Sequence, residues 1–200
     1  MIPTVVELVG CRYRARWARA LPSWDLLAVA GEVVHIVGPN GAGKSTFLRA
    51  AVGLEPSSWT RHLLGTSPRA AGVLRFLGAS TGVSPDLLVC HHVELVARLL
   101  GIGSDDVRSE LDRWGVLGLL AAAGGDLSNG QHRAVALASV LAGSPSIVVL
   151  DEPAVALDEL RQDLLVQRLA ECVHDGAVVV VAGHDRHLRS GLPGRVVEHG

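Results

Sequence analysis

The nonapeptide GPNGAGKST, Gly38–Thr46, restricts what this chain can fold into more than any other stretch. Its first eight residues fit G-x-x-x-x-G-K-[ST] in full. The run EVVHIV, Glu32–Val37, precedes it and FLRAAVGL, Phe47–Leu54, follows. The first is β-branched and reads as a strand; the second has helical spacing. Glycines at 38, 41 and 43 let the backbone curl so that successive N–H groups converge on one point, where a side chain would intrude. A strand, an amide-lined loop and a helix in that order form a phosphate cradle. Gly38, Pro39, Asn40, Gly41, Ala42 and Gly43 supply its backbone. Lys44 reaches the β- and γ-phosphates, Ser45 offers a hydroxyl to Mg²⁺, and Thr46 adds one toward the α-phosphate.

Two further apolar runs, SIVVLDEP (Ser146–Pro153) and GAVVVVAGHD (Gly176–Asp185), read as strands. Their hydrophobicity is continuous, not alternating, which suits central parallel strands covered on both faces. The class is therefore α/β. Both runs end in chemistry, at the strand ends where such sheets bind ligands. Asp151 is placed as the outer partner of Mg²⁺, and Glu152 as the group that polarises a water. His184 is placed to hold the γ-phosphate and attacking water; the alternative is a histidine that merely finishes a strand.

The middle of the chain is helical by pattern. Apolar residues recur at helical intervals over His92–Leu100 and Asp105–Leu120, with Ser104 positioned as a cap. This gives an α/β core of about residues 1–80 and 140–200 and a helical subdomain over about 81–139, within one domain. His91, His92, His132 and His187 have no metal-ligand spacing and are assigned to the surface or helix ends. Cys11, Cys90 and Cys172 are scattered and odd in number, so neither a disulfide framework nor zinc is expected, and a reducing compartment is. With net charge −2, no broad nucleic-acid-binding face is expected. The start MIPTVVELVGCRYRAR has an early acidic residue and no long apolar core, so no signal peptide is read. No membrane span is read, because Gly143, Ser144 and Pro145 break the most apolar region.

The stretch LSNGQHRAVA, Leu127–Ala136, is a second anion-binding helix start, with capping residues ahead of an apolar run. GPNGAGKST, LSNGQ, IVVLDEP, ALD and GHD, in this order and spacing, resemble the nucleotide-binding subunit of ATP-binding cassette (ABC) transporters. The resemblance covers nearly the whole chain. It implies a RecA-like P-loop NTPase core with a mostly parallel sheet, an N-terminal antiparallel β part and a helical insert. It implies that Leu127, Ser128, Asn129, Gly130 and Gln131 close over ATP held by a second, identical or different ABC ATPase subunit, docked head to tail. Asp158 would communicate across that dimer; a turn or helix-capping aspartate is the alternative. Tyr13, or else Trp17, would stack on adenine. ATP and Mg²⁺ are the implied ligands. The implied further partners are transmembrane permease subunits on a separate polypeptide, holding the chain at the cytoplasmic face of the membrane. Short haem-exporter-type cassettes are of similar size.

Several positions depart from the family pattern. Ala79 stands in place of the usual glutamine, Asn129 replaces a glycine, Ala134 stands where arginine is common, and Gly183 precedes the histidine in place of Thr or Ser. Two other functions use the same phosphate loop. A soluble, non-transport ABC ATPase of the scaffold or repair type would carry every motif. A small-molecule kinase would leave LSNGQ and Glu152 unexplained.

Overall fold

In the computed structural model, the described residues are 5–11, 24–52, 54, 61–63, 74–79 and 82–198. Strands β1 (Val5–Cys11), β2 (Trp24–Val29) and β4 (Arg61–Leu63) form an antiparallel sheet in the order β2-β1-β4. Strands β3 (Val33–Val37), β5 (Leu74–Leu77), β6 (Ile147–Asp151), β7 (Val178–Ala182) and β8 (Arg195–Glu198) form the main sheet. Its order is β5-β6-β7-β3-β8, and every neighbouring pair is parallel.

The unbroken apolar runs follow from two covered faces. On one face Val34, Ile36, Ile147, Val149, Val178 and Val180 pack with Phe47 and Leu48 of helix α1 (Lys44–Ala51) and with Leu26 and Ala28 of β2. The opposite face presents Val33, Val148, Leu150, Val179 and Val181. It packs against helices α2 (Val89–Leu100), α3 (Ser104–Arg113), α4 (Asn129–Leu141), α5 (Glu159–His174) and α6 (Arg186–Gly191). A strand with both faces buried has no polar side to alternate with.

Helix α4 is buried along most of its length: Arg133 through Ser139, and Leu141, are all buried. The side chain at 134, where the family pattern favours arginine, is a fully covered alanine.

Four expectations about helices are corrected. Helix α1 begins at Lys44 and not Phe47, because the loop's last glycine, Gly43, serves as its N-cap at φ 93°. Helix α2 begins at Val89, one turn before His92. Ser104 is not a cap but the first residue of α3; Gly103 is the cap, and its N–H donates to the Asp106 carboxylate at 2.9 Å. The helix expected over Asp105–Leu120 stops at Arg113. Gly115, at φ 65°, turns the chain, and only a 3₁₀ turn over Leu117–Leu119 follows.

Histidine 92 is also corrected. It is buried, not at the surface, and its Nε2 lies 3.1 Å from Ser139 Oγ. The position lies on the inward stripe of α2 with Val89 and Val93. A buried charged pair links two helices of this face. Arg168 of α5 holds Glu110 of α3 through two contacts of 2.6 and 2.9 Å, and Trp114 Nε1–H donates to the same carboxylate.

Candidate functional site

The carboxyl ends of β3, β7 and β6 lie side by side, and each carries one part of the site. From β3 the chain enters the phosphate loop, where Gly41 (φ 83°) and Gly43 (φ 93°) adopt the left-handed backbone that glycine tolerates. Lys44 is 7% exposed. Its ammonium donates to Gly38 O at 2.8 Å and Pro39 O at 3.1 Å, and to His184 Nε2 at 3.0 Å. An ammonium has no acceptor capacity, so His184 takes that bond on an unprotonated Nε2. Ser45 and Thr46 occupy the first turn of α1, with Ser45 exposed.

From β6 come the acids. Asp151 is 2% exposed, and its Oδ1 is buried without a hydrogen-bond partner among the described residues. A buried carboxylate oxygen with no donor is costly unless a cation completes it. That oxygen and the Ser45 hydroxyl are hard oxygen ligands of the type Mg²⁺ prefers, so the residues present fit the metal.

Glu152 turns away in a left-handed conformation, φ 46°, which non-glycine residues seldom adopt. Its own N–H donates to Ala182 O of β7 at 2.8 Å, and its carbonyl accepts from Arg133 at 2.7 Å and from the Val155 N–H at 3.3 Å. The Glu152 carboxylate lies 4.0 Å from His184 Nε2. Gly183 leaves space for it: a Cβ there would lie 3.0 Å from Glu152 Oε2.

Arg133 is the functional residue that the motifs did not single out. Buried in α4, it donates to the carbonyls of Gly78 (2.9 Å), Asp151 (2.9 Å), Glu152 (2.7 Å) and Pro153 (3.1 Å). It thus ties the ends of β5 and β6 to the helix that begins at LSNGQ. Burial pushes its pKa down, and the Asp151 and Glu152 charges oppose that. The available signal was one cation inside an apolar helical stretch, the pattern of a buried, partnered charge.

At the start of α4, Ser128 is the N-cap. Its Oγ accepts the Gln131 N–H at 3.3 Å, while Gln131 Oε1 accepts the Ser128 N–H at 2.9 Å. This reciprocal capping box engages both side chains. Helical bonding starts with His132 N–H to Ser128 C=O. The amides of Asn129 and Gly130 therefore belong to the positively polarised end of the helix. Gly130 abuts the loop after β6, where a Cβ would meet Ala156 O at 2.9 Å. Asp158 caps α5, accepting the Arg161 N–H at 2.9 Å and pairing with its guanidinium at 2.8 Å. Leu127 is half-buried and Ala79 exposed. Tyr13 and Trp17 lie outside the described residues.

The structure thus brings Lys44, His184, Glu152 and Asp151 to one edge of the parallel sheet, with Ser45 beside them on α1. A glycine loop with its lysine, a strand-end acid pair and a histidine on the strand between them define a P-loop nucleotide hydrolase. Residues 23–155 match the ABC transporter family, and the chain belongs to it. It is 35% identical to a cytochrome c biogenesis ATP-binding export protein, CcmA, of Cupriavidus pinatubonensis over 80% of this chain and 74% of that protein. With a zinc import ATP-binding protein, ZnuC, of Ruegeria pomeroyi it shares 34% identity over 96% of this chain and 74% of the other. An ATP-binding subunit of an ABC transporter has the same fold with a TM-score of 0.85, at 21% identity over 98% of this chain and 86% of that one. A putative ABC transporter ATP-binding protein from Pyrococcus furiosus superposes with a TM-score of 0.78, at 24% identity over 98% of both chains. The chain is an ATP-binding, ATP-hydrolysing subunit of this class. Among the described residues, no helix is long and apolar enough to cross a membrane.

Proposed function

We propose that the chain hydrolyses ATP in a composite site made by two such subunits placed head to tail, and that the cycle drives a separate membrane permease. The supporting observation is the division of anion-binding parts. The loop around Lys44 stands with the acids and His184. The polarised start of α4 carries Ser128 and the amides of Asn129 and Gly130, but no acid in its first turn. A helix end contributes about 0.3–1 kcal/mol toward an exposed anion, and up to ~2 when partly buried. Two such ends closing on two nucleotides would hold a dimer that loosens once the γ-phosphate leaves.

Within the site, Lys44 exchanges its carbonyl partners for β- and γ-phosphate oxygens, as the loop amides surround them. Mg²⁺, held by Ser45 and Asp151, would neutralise charge on the phosphates. Glu152 orients and deprotonates the attacking water. His184, released from the Lys44 ammonium when that group turns to the phosphates, positions that water and the γ-phosphate. Asp158 carries the state of one site to the other. An aromatic side chain upstream of the loop, Tyr13 or Trp17, stacks on adenine. The partners are permease subunits, as the names of the export and import relatives suggest, and they hold the chain at the cytoplasmic face.

The test is turnover as a function of protein concentration, with the assembly state measured by light scattering. Glu152→Gln with ATP is expected to elute as a dimer and to hydrolyse at least ~100-fold more slowly. Lys44→Ala should neither bind ATP usefully nor dimerise. An isolated monomer with full activity, unaffected by Ser128→Arg, would refute the composite site. Release of phosphate to water, not its transfer to an acceptor, separates this reading from a kinase. Purification from membranes with a hydrophobic subunit separates it from a soluble cassette.

A further inference from the structure

Arg161 lies in the first turn of α5 and is attached at three points to two elements. Its backbone N–H donates to Asp158 Oδ1 at 2.9 Å, and its Nη1 donates to Asp158 Oδ2 at 2.8 Å. Another nitrogen of the same guanidinium reaches α3, where Nε donates to Trp114 O at 3.4 Å. Trp114 is the C-cap of α3. Its carbonyl therefore belongs to the negatively polarised end of that helix, which favours a cation.

An ion pair between exposed side chains three residues apart ordinarily fixes little, because both are free to swing. Here both ends are anchored. The Arg161 side chain is 25% exposed. Trp114 is buried, and its Nε1–H is held by Glu110, whose carboxylate is held in turn by Arg168. Just before the acid, Leu157 is buried, and its carbonyl accepts from Gln162 Nε2 at 3.2 Å. The loop backbone is thereby fixed, and the direction of the Asp158 carboxylate is left to Arg161. That carboxylate is 56% exposed, an open acid on a rigid mount.

We infer that Arg161 is a positioning residue: it bridges the end of α3 and the loop after β6, and so aims the Asp158 carboxylate at the second subunit's site. The inference rests on the composite site proposed above, in which Asp158 carries the state of one site to the other. It adds the group that sets the acid's direction, and with it a dependence of turnover on α3. A displacement of α3 carries the Trp114 carbonyl with it, and the planar guanidinium passes that displacement to the carboxylate. Among the described residues, Arg161 makes no hydrogen bond or ion pair to the phosphate loop, Asp151, Glu152 or His184. Its effect on turnover therefore runs through Asp158.

The test is a double-mutant cycle on the intact protein, read by steady-state ATP hydrolysis and urea unfolding, with the assembly state measured by light scattering. Asp158→Asn keeps the cap on α5, since asparagine caps as well as aspartate, but loses the charge that Arg161 holds. Asp158→Asn and Arg161→Met are each expected to lower kcat by about 5-fold or more, with KM for ATP and the urea midpoint close to the parent's. The double variant should be no slower than the slower single one, because the two residues act as one unit. Arg161→Lys keeps the charge but has no fork to span both acceptors. Its kcat should lie nearer that of Arg161→Met than the parent's, and it takes the place of Arg161→Met in the cycle if that variant does not fold. Parent kcat in either Arg161 variant, or losses that add in the cycle, would overturn the assignment. Parent kcat in Asp158→Asn would overturn it as well, and if Glu152→Gln still dimerises with ATP, the composite site survives that result. A Glu152→Gln protein that stays monomeric with ATP removes the composite site, and this inference with it.

Discussion

Replacing Arg133 by methionine removes a charge whose partners are all backbone carbonyls, and the cost can be worked from those bonds. Four carbonyls accept from it at 2.7–3.1 Å. Hydrogen bonds from a charged donor contribute about 1.5–3 kcal/mol each, and burying the guanidinium costs several kcal/mol in return. Methionine restores part of the packing volume. The net loss expected for Arg133→Met is about 3–4 kcal/mol, a factor of more than ~100 in the folding equilibrium. A second effect follows from the backbone. Left-handed residues persist only where their surroundings over-determine them, at about 1–3 kcal/mol each. Without Arg133, Glu152 keeps its bonds to Ala182 O and from the Val155 N–H but loses the shorter, charged contact on its carbonyl. Its carboxylate then samples positions away from His184. Urea unfolding measures the first effect, and steady-state ATP hydrolysis well below the unfolding midpoint measures the second. Arg133→Lys, which keeps the charge but has a single tip, is expected to lose less stability and yet still to lower kcat, with KM for ATP nearly unchanged. Arg133→Met within ~1 kcal/mol of the parent, with unaltered kcat, would refute the reasoning.

Two further perturbations address the core. Glu110→Ala removes the two contacts that hold the buried side of the Arg168 guanidinium, leaving it Glu171 as its carboxylate partner, and leaves Trp114 Nε1–H without its acceptor. Breaking a buried pair from one side costs about 3–5 kcal/mol, read as a fall in the urea midpoint; a midpoint equal to the parent's would contradict it. The second concerns pH. His35 Nε2–H donates to Leu192 O at 2.8 Å, and burial lowers the pKa of His35 and that of His92. For a base with a lowered folded pKa, the unfolded chain binds the proton first. Stability is therefore present above about pH 6.5 and lost as pH falls toward the folded values. Between pH 7 and 5, unfolding free energy should drop by up to ~1.4 kcal/mol per pH unit for each such histidine. His92→Leu should flatten the slope, and an unchanged slope would show that His92 does not contribute.

Legibility in the sequence followed the range of each interaction. The phosphate loop, Asp151, Glu152 and His184 were readable because each sits at the boundary of a β-branched run, and the boundary itself fixes where the side chain emerges. The cap at Ser128 was readable because Gln131, its partner, is three residues away. Arg133 was not, since its four acceptors come from β5 and from the turn after β6, and no local pattern marks them. The end of α3 was misjudged for the opposite reason. Apolar spacing continues through Leu120, but Gly115 at φ 65° overrides it. Ser104 lost the cap to Gly103 because Asp106 supplies the carboxylate that closes the first turn from within.

The strand order has a metric consequence. Neighbouring strands lie about 4.8 Å apart, and β7 is interposed between the strand that feeds the lysine and the strand that ends in the acids. That spacer sets the two roughly 10 Å apart at the sheet. Were they adjacent, ammonium and carboxylate would neutralise each other across the gap. With one strand between them, the opening is about as wide as a terminal phosphoryl group and one water, and the intervening strand delivers an imidazole to its midpoint.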